Sequence, residues 1–194
     1  MSLNRKVVGA TALSLAGLLG IAGYEGLSLD AYQPLSGDKW TIGFGHTGDV
    51  SPGDSVSVRK ALGLLYVDAR SAEATVLRYV EVPLKQHQLD ALVSLVFNIG
   101  PTAFKNSTLL KRLNARDYAG VQREWMRWVY FKGKRVAGLE KRRANELAVF
   151  NGEMPTVVEG SVFFGTAGCI DTASLSLEGQ SGTAVAAPVD GIGG

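Results

Sequence analysis

The chain contains one cysteine, Cys169, and two histidines, His46 and His87, among its 194 residues. A single cysteine cannot form an intramolecular disulfide, so no disulfide framework supports this fold. Two histidines and one cysteine also supply too few of the usual ligands for a zinc site. We therefore expect a domain that depends on its hydrophobic core and works with no metal and no other cofactor.

Charge is missing from one stretch of the chain and has a single sign in another. Residues 7–23 carry no charge, and residues 153–194 contain five acids but no lysine or arginine. Between residues 105 and 143, twelve lysines and arginines accompany three acids. This central region therefore offers a positive surface to nucleic acid, acidic lipid headgroups or an anionic cell-wall polymer. The motifs of RNA- and DNA-binding modules are missing, so we expect no nucleic-acid partner.

The uncharged segment, residues 7–23, follows Arg5 and Lys6. This is the layout of an export signal whose amino terminus stays in the cytoplasm. Seven of the seventeen residues are Leu, Ile or Val, which favours membrane insertion by about 2 to 4 kcal/mol in total. A helix of this length spans about 25 Å, against about 30 Å for the hydrocarbon core of a bilayer. The segment is therefore predicted to be a marginal membrane anchor.

Three interpretations of this segment stay open. The first is a cleaved signal peptide, because Gly20 and Ala22 place small residues at the spacing of a cleavage site. The second is an ordinary buried helix of a soluble protein, although the glycine content disfavours a stable helix. The third, which we favour, is an uncleaved segment that inserts weakly and can later leave the bilayer. Each interpretation places Glu25 where the segment ends.

The rest of the chain changes from a strand pattern to a helical pattern. Alternating residues between 27 and 46, interrupted by Pro34 and Gly37, predict a β-hairpin or a small meander. Apolar residues at helical spacing then predict helices over residues 57–80, 84–98, 107–114, 117–128 and 139–150.

A change of composition predicts where the folded domain ends. After residue 152 the chain is rich in Gly, Ala, Ser, Thr and Val, which is typical of a linker or a poorly ordered tail. Because this tail is acidic, a short β-rich appendage that docks on the basic central region is the second interpretation. The expected organisation is an anchor over residues 1–23, a folded domain over 24–152 and a tail over 153–194.

Glu25 is the candidate for acid chemistry. Cleavage of a glycosidic bond requires a proton donor to the leaving oxygen and, in most mechanisms, a second carboxylate. A lone glutamate after an apolar helix is commonly a solvated cap residue. The neighbouring sequence therefore decides whether Glu25 is a cap residue or a catalytic acid. The informative residues are Gly26-Leu27, 40–47 (WTIGFGHT), 88–94 (QLDALVS), 97–100 (FNIG), 107–110 (STLL), Trp125, Trp128 and Arg142-Arg143. In this order, over about residues 24–152, they resemble phage-type lysozymes, glycoside hydrolase family 24.

The resemblance implies an α+β, lysozyme-like fold, in which a small β-hairpin lobe and a larger helical lobe enclose a cleft. Here that fold would be preceded by an N-terminal hydrophobic helix. The activity implied is hydrolysis of the β-1,4 bond between N-acetylmuramic acid and N-acetylglucosamine in peptidoglycan, so the glycan strands would be the partner. We expect the enzyme to be a monomer.

Carried over residue by residue, the resemblance makes Glu25 the general acid and Thr41 the residue that positions the attacking water. The family usually has Asp nine residues after the glutamate, where this chain has Pro34. We therefore expect Asp38, three residues before Thr41, to act as the second carboxylate, with Asp30 as the other candidate.

Other residues have supporting roles in this comparison. The resemblance aligns three of them with substrate-binding positions in the cleft: Asn98, Phe104 and Ser107. His46, at the end of the hairpin, is expected to support the hairpin or Glu25 by hydrogen bonding. Trp125 and Trp128, three residues apart on a helix, are expected to pack in the core.

The amino terminus resembles that of lysozymes that phages export with a signal-arrest-release segment. In such enzymes the segment tethers an inactive protein to the inner membrane, facing the periplasm of a Gram-negative host. Depolarisation of the membrane by a holin then releases the protein into the periplasm. We expect the same of residues 7–23, with Glu25 held out of place until release. The segment contains no cysteine, so control by disulfide exchange is excluded.

Two other functions fit the same residues. Because the usual Asp is missing, the chain could be a lytic transglycosylase that uses Glu25 alone and yields 1,6-anhydromuramic products. It could also be a non-catalytic peptidoglycan-binding or membrane-active protein, in which case Glu25→Gln would leave lysis intact.

Overall fold

A computed structural model describes residue 10 and residues 12–153 of the chain. The basic residues Arg5 and Lys6, the tail beyond residue 153 and Cys169 lie outside these described residues. The elements follow in the order α1 Leu15–Glu25, β1 Ser28–Tyr32, β2 Thr41–Gly43, α2 Val58–Tyr79, α3 Gln86–Ile99, α4 Pro101–Asn106, α5 Thr108–Asn114, α6 Tyr118–Trp125, β3 Tyr130–Phe131, β4 Lys134–Arg135 and α7 Ala137–Asn151.

Polar cap residues determine where four of these helices begin. Ser14, Ser57, Ser107 and Asp117 stand directly before α1, α2, α5 and α6, and each side chain accepts a hydrogen bond from the N–H three residues later. Such a bond satisfies one of the amides that the start of a helix leaves unpaired. The chain therefore marks these helix starts locally, before any tertiary contact is made.

The sheet lobe is a short antiparallel hairpin. Strands β1 and β2 pair with Ser28 opposite Gly43 and Tyr32 opposite Thr41. Backbone bridges from Asp30 to Ser55 and from Ile42 to His46 extend the lobe on either side. The hairpin predicted over residues 27–46 is confirmed.

The helical lobe is built around α3. Nine of its fourteen residues are buried, because α1, α2, α4 and α7 all contact it. Leu89, Leu92 and Leu95 have no exposed surface, and Trp125 and Phe150 from the last helices join the same core. A small hairpin lobe beside a larger helical lobe is the α+β arrangement expected from the sequence.

Five helices predicted from apolar spacing correspond to α2, α3, α5, α6 and α7. Helix α4 was not predicted, because a proline such as Pro101 commonly marks the end of a helix. Pro101 is instead the first residue of α4, where proline is tolerated since the first amide of a helix needs no partner. The β3–β4 hairpin was missed because strands of two residues show no alternation.

Helix α1 is shorter than the segment predicted from the sequence. It covers Leu15–Glu25, packs against α2 and α3, and buries Ile21 completely. Residues 1–9 are outside the described part, so a longer hydrophobic helix over 7–23 stays a prediction, as do the domain boundaries. None of the described helices combines the length and the hydropathy needed to cross a bilayer.

Gly17 allows α1 to approach α3 closely. A Cβ atom at this position would lie 2.7 Å from Leu13 Cδ1 and 2.9 Å from Asp90 Cγ. Asp90 is 5% exposed and is held by hydrogen bonds to Ser14, so its side chain cannot easily move away.

We therefore expect Gly17→Ala to lower the free energy of unfolding by about 1 to 2 kcal/mol through overpacking. Gly63 of α2 is the matched control, because a Cβ atom there meets nothing within 4 Å. Gly63→Ala should raise the free energy of unfolding by about 0.5 to 1 kcal/mol through helix propensity. Urea unfolding of the purified protein measures both changes, and a stabilised Gly17→Ala variant would contradict the close packing.

Candidate active site

A cleft of about 400 Å³ separates the hairpin lobe from the helical lobe. Its walls come from the end of α1, the loop after β2, the middle of α2 and the turn between α3 and α4. The lining residues are Glu25, Gly45, His46, Thr47, Gly48, Asp68, Ser71, Ala72, Thr75, Val96, Phe97, Asn98, Ile99, Gly100 and Pro101.

Glu25 is the last residue of α1, and its side chain is 12% exposed. The helix ends there because Gly26 has a φ of 69°, which favours glycine. On the opposite side of the carboxylate, a Cβ atom at Gly45 would lie 3.3 Å from Glu25 Oε2. Glycine at position 45 therefore lets the hairpin backbone lie directly against the carboxylate.

Arg142 of α7 holds the other carboxylate oxygen. Its Nη1 donates to Glu25 Oε1 at 2.7 Å, and the arginine side chain is 7% exposed. The guanidinium also stacks over the ring of Tyr24, with 4.7 Å between Cζ and the ring centroid. Burial by itself lowers the pKa of Arg142, but the charges of Glu25 and Glu146 outweigh it, and the net direction is upward. Arg142 is therefore a permanent cation beside Glu25.

Glu146 is the buried counter-ion behind Arg142. Its Oε1 accepts from Arg142 Nε at 3.0 Å and from Ser94 Oγ at 2.7 Å, and its Oε2 accepts from Trp125 Nε1 at 3.4 Å. The carboxylate has no exposed surface. A buried charge requires this many partners, because the cost of removing it from water is otherwise uncompensated.

Arg143 connects the same counter-ion to the cleft. Its Nε lies 3.2 Å from Glu146 Oε2, and its Nη2 donates to Asn98 Oδ1 at 2.8 Å. Burial lowers the pKa of Arg143 to about 10. Its Nε and Nη1 find no hydrogen-bond partner among the described residues, so the 3.2 Å contact with Glu146 is an ion pair without hydrogen-bond geometry. Asn98 is thereby fixed in the cleft wall.

His46 is bound to a carboxylate across the cleft. Its Nδ1 lies 2.8 Å from Asp68 Oδ2 of α2, and its backbone pairs with Ile42 in both directions at 2.9 Å. The hydrogen bond joins the hairpin to the long helix. A supporting role for His46 was predicted from the sequence, and this is the contact through which it would act.

The structure brings Glu25, His46 and Asn98 into one cleft but leaves five other predicted residues outside its lining, three of them in the hairpin lobe. Thr41 is fully buried in β2, and its hydroxyl donates to the Lys39 carbonyl at 3.2 Å. Asp38 lies in the turn of the hairpin and is partly exposed, with its N–H donating to the Leu35 carbonyl. Asp30 is exposed on β1, at a backbone bridge to Ser55.

Phe104 and Ser107 are also away from the described cleft. Phe104 has no exposed surface and belongs to the hydrophobic core, so in this conformation it cannot touch a ligand. Ser107 is 7% exposed, and its hydroxyl donates to the Phe104 carbonyl while accepting from the N–H of Leu110. Packing and capping explain these two positions, and their assignment to substrate binding gains no support from the geometry. Trp125 packs in the core as predicted.

The sequence analysis assigned no role to three residues of the site. Arg142 and Glu146 are four residues apart on α7. In a mostly polar helix, an arginine and a glutamate at this spacing predict only a surface ion pair. Asp68 is one of several charged residues of α2, and nothing in the sequence distinguishes it from a residue on the solvent face of that helix. Tyr32 of β1 is affected by Glu25. Burial raises the pKa of Tyr32, and the charge of Glu25 raises it further.

Two lobes, a cleft between them and a largely buried glutamate at the end of the first helix define the lysozyme class of fold. The phage lysozyme family model matches residues 22–146. An endolysin of Acyrthosiphon pisum secondary endosymbiont phage 1 is 47% identical over 142 residues, covering 71% of this chain and 97% of that protein. A SAR-endolysin of Escherichia phage Mu is 39% identical over 127 residues, covering 66% and 74%.

A solved structure agrees with these relatives. The muramidase domain of SpmX from Asticaccaulis excentricus superimposes with a TM-score of 0.67 at 37% identity, covering 72% of this chain and 97% of that one. The chain therefore belongs to the phage lysozyme family. It is a peptidoglycan-hydrolysing enzyme of the endolysin type.

The network behind the cleft predicts an unequal response to neutralising two glutamates. Glu146→Gln leaves buried arginine charge without its counter-ion, so the free energy of unfolding should fall by about 3 to 5 kcal/mol. Glu124→Gln removes a surface pair with Arg127, whose side chain is 73% exposed, and should cost less than about 1 kcal/mol. Urea unfolding curves measure both, and equal losses would contradict a structural role for the network.

Proposed function

We propose that the enzyme hydrolyses the β-1,4 bond between N-acetylmuramic acid and N-acetylglucosamine, as a muramidase with Glu25 as general acid. The observation that carries this proposal is the setting of Glu25: a nearly buried carboxylate that opens on the cleft and is held by Arg142 at 2.7 Å. Family membership supports the reaction, and the cleft supports its location.

The two oxygens of Glu25 would have different tasks. Oε1 is engaged by Arg142, whereas Oε2 faces the backbone at Gly45, which lines the cleft. Oε2 is therefore the oxygen that would give its proton to the glycosidic oxygen as the bond to C1 of N-acetylmuramic acid breaks. Water would then add to C1, passing its proton to a second carboxylate.

The decisive test is Glu25→Gln, which keeps the size and polarity of the side chain but removes the transferable proton. We expect kcat on purified peptidoglycan to fall by about 10²- to 10⁴-fold, the usual contribution of a general acid. Glu124→Gln, remote from the cleft lining, should retain wild-type turnover. Lysis that survives Glu25→Gln would instead support a non-catalytic peptidoglycan-binding or membrane-active protein.

Product analysis separates hydrolysis from transglycosylation. A hydrolase adds water and leaves a reducing N-acetylmuramic acid end, whereas a lytic transglycosylase leaves a 1,6-anhydro end that lacks the mass of one water. Mass spectrometry of the digest therefore distinguishes the two reactions directly.

For the second carboxylate we keep Asp38, in the hairpin turn, as the proposed residue and Thr41 as the residue that orients the water. The structure adds Asp68 as an alternative, because Asp68 lines the same cleft as Glu25. Its Oδ2 is already engaged by His46, which favours a role in fixing the hairpin over one in proton transfer.

Three matched substitutions distinguish these carboxylates. We expect Asp38→Asn to lower kcat at least about tenfold, within the range of general base catalysis, with little change in thermal stability. Asp68→Asn should mainly lower the melting temperature, because it replaces the charged acceptor of the His46 hydrogen bond with a weaker, neutral amide oxygen. Asp30→Asn tests the other carboxylate predicted from the sequence, and we expect neither effect because Asp30 lies on β1 outside the cleft lining. Full activity of Asp38→Asn would remove Asp38 from the mechanism.

We further propose that residues 7–23 export the enzyme and hold it on the inner membrane, facing the periplasm of a Gram-negative host. Depolarisation by a holin would release it as a monomer into the periplasm. The support is the basic and then uncharged amino terminus and the SAR-endolysin of phage Mu among the relatives. In the described conformation residues 15–25 pack in the domain, which corresponds to the released form in this proposal.

A further inference from the structure

The first half of α2 exposes a row of apolar side chains. Val58, Leu62 and Tyr66 follow one another at intervals of four residues, and their exposed fractions are 45%, 44% and 55%. Val67, the next residue, is 62% exposed. In a helix this interval places side chains on one face, one turn apart. Exposed apolar residues that adjoin one another mark an interaction surface, whereas isolated ones do not.

The row is separate from the residues that α2 contributes to the core. Leu65, Ala69 and Val76 are buried, because β2, α1, α3 and α4 contact the helix on that side. The exposed row begins beside the hairpin, where the Val56 N–H donates to the Leu29 carbonyl at 2.9 Å. Leu29 is itself 39% exposed, so apolar surface also lies on β1 beside the start of α2.

The exposed charged side chains in this part of α2 are all cations. Arg59, Lys60 and Arg70 are exposed. Arg70 is paired with Glu73, whereas Arg59 and Lys60 form no ion pair with any described residue. The two acids of the helix do not neutralise them, because Glu73 is buried and Asp68 lines the cleft. The apolar row therefore lies beside two unpaired positive charges.

These side chains lie on the opposite side of α2 from the cleft. We call the surface the α2 outer face and define it by the residues Val58, Arg59, Lys60, Leu62, Tyr66 and Val67. With about 100° of rotation per residue, Asp68 and Thr75, which line the cleft, lie about 160° to 180° around the helix from the middle of this face. A partner bound to the α2 outer face would therefore leave the cleft open.

An apolar row beside unpaired cations matches the surface of a bilayer that contains acidic lipids. A helix that lies in such a surface buries its apolar side chains at the boundary of headgroups and acyl chains, while lysine and arginine contact the headgroups. Tyrosine, found here as Tyr66, is favoured at this boundary. A second copy of the chain is a poorer match, because a symmetric contact would place Arg59 and Lys60 against the same cations of the other copy.

We infer that the α2 outer face binds the surface of acidic phospholipid bilayers, peripherally and reversibly, with the cleft left open. This surface is distinct from the anchor proposed over residues 7–23. The inference stands apart from the proposed function, since it requires neither Glu25 as the acid nor release of the anchor. An enzyme bound in this way would cleave its substrate close to the membrane.

The test uses the full chain with a polarity-sensitive fluorophore on the α2 outer face, because residues 7–23 could bind vesicles by themselves. Gly63 is exposed, and a Cβ atom there meets nothing within 4 Å, so Gly63→Cys in a Cys169→Ser background accepts the label. Ala119→Cys, at an exposed position of α6, is the matched control. Phosphatidylglycerol vesicles should shift the emission at position 63 to the blue but not at position 119. Phosphatidylcholine vesicles should shift neither.

Substitutions in the labelled chain measure the contribution of each kind of side chain. Arg59→Gln and Lys60→Gln should each weaken the affinity for phosphatidylglycerol vesicles about fivefold. Leu62→Gln should weaken it about tenfold through lost apolar burial. Lys111→Gln, at an exposed position of α5, is the control and should leave the affinity unchanged. Because none of these side chains lines the cleft, all four variants should hydrolyse isolated peptidoglycan at the wild-type rate.

Several outcomes would overturn the inference. The first is no blue shift at position 63 with phosphatidylglycerol, and the second is an equal shift at positions 63 and 119. An equal shift with phosphatidylcholine would exclude the preference for acidic lipid. A label at position 63 that is already shielded in vesicle-free buffer would show that a second copy or another part of the chain covers the face. Activity that survives Glu25→Gln would remove the proposed acid but would not affect the vesicle results.

Discussion

Glu146 has no exposed surface and lies against two arginines, each of which extends to a different part of the cleft. Arg142 continues to Glu25 at the end of α1, and Arg143 continues to Asn98 near the end of α3. A buried group of this kind is favourable only when every charge has its partner. Helices α1, α3 and α7 contribute to this group, so the walls of the cleft depend on the packing of these three helices.

The two lobes are joined by contacts of a different kind. Gly45 lets the hairpin backbone lie against Glu25, and His46 binds Asp68 on the long helix α2. The Glu25 carboxylate therefore lies between Arg142 of the helical lobe and the hairpin backbone at Gly45. The contacts of Gly45 and His46, together with the packing of β2 against α2, fix the position of the small sheet.

Features that depend on neighbouring residues could be predicted from the sequence, whereas contacts between distant parts of the chain could not. The helix starts follow from Ser57, Ser107 and Asp117, and Glu25 follows from its neighbours in the chain. Glu25 and Arg142 are 117 positions apart in the chain. The residues around each of them do not predict that the two form a pair. Phe104 shows the opposite difficulty: the resemblance aligns it with the cleft, whereas in this structure its apolar ring is buried in the core. The carboxylate partner of Glu25 is the part of the site that spacing alone could not locate.

Helix α1 also limits how the amino terminus can vary. Glu25 is the eleventh residue after the cap Ser14, and each residue of an α-helix adds about 1.5 Å and about 100° of rotation. One inserted or deleted residue between them would turn the carboxylate out of the cleft. Substitutions in this stretch can therefore adjust its hydrophobicity within the limits of packing, but its length is fixed. Indels should be tolerated only ahead of the cap.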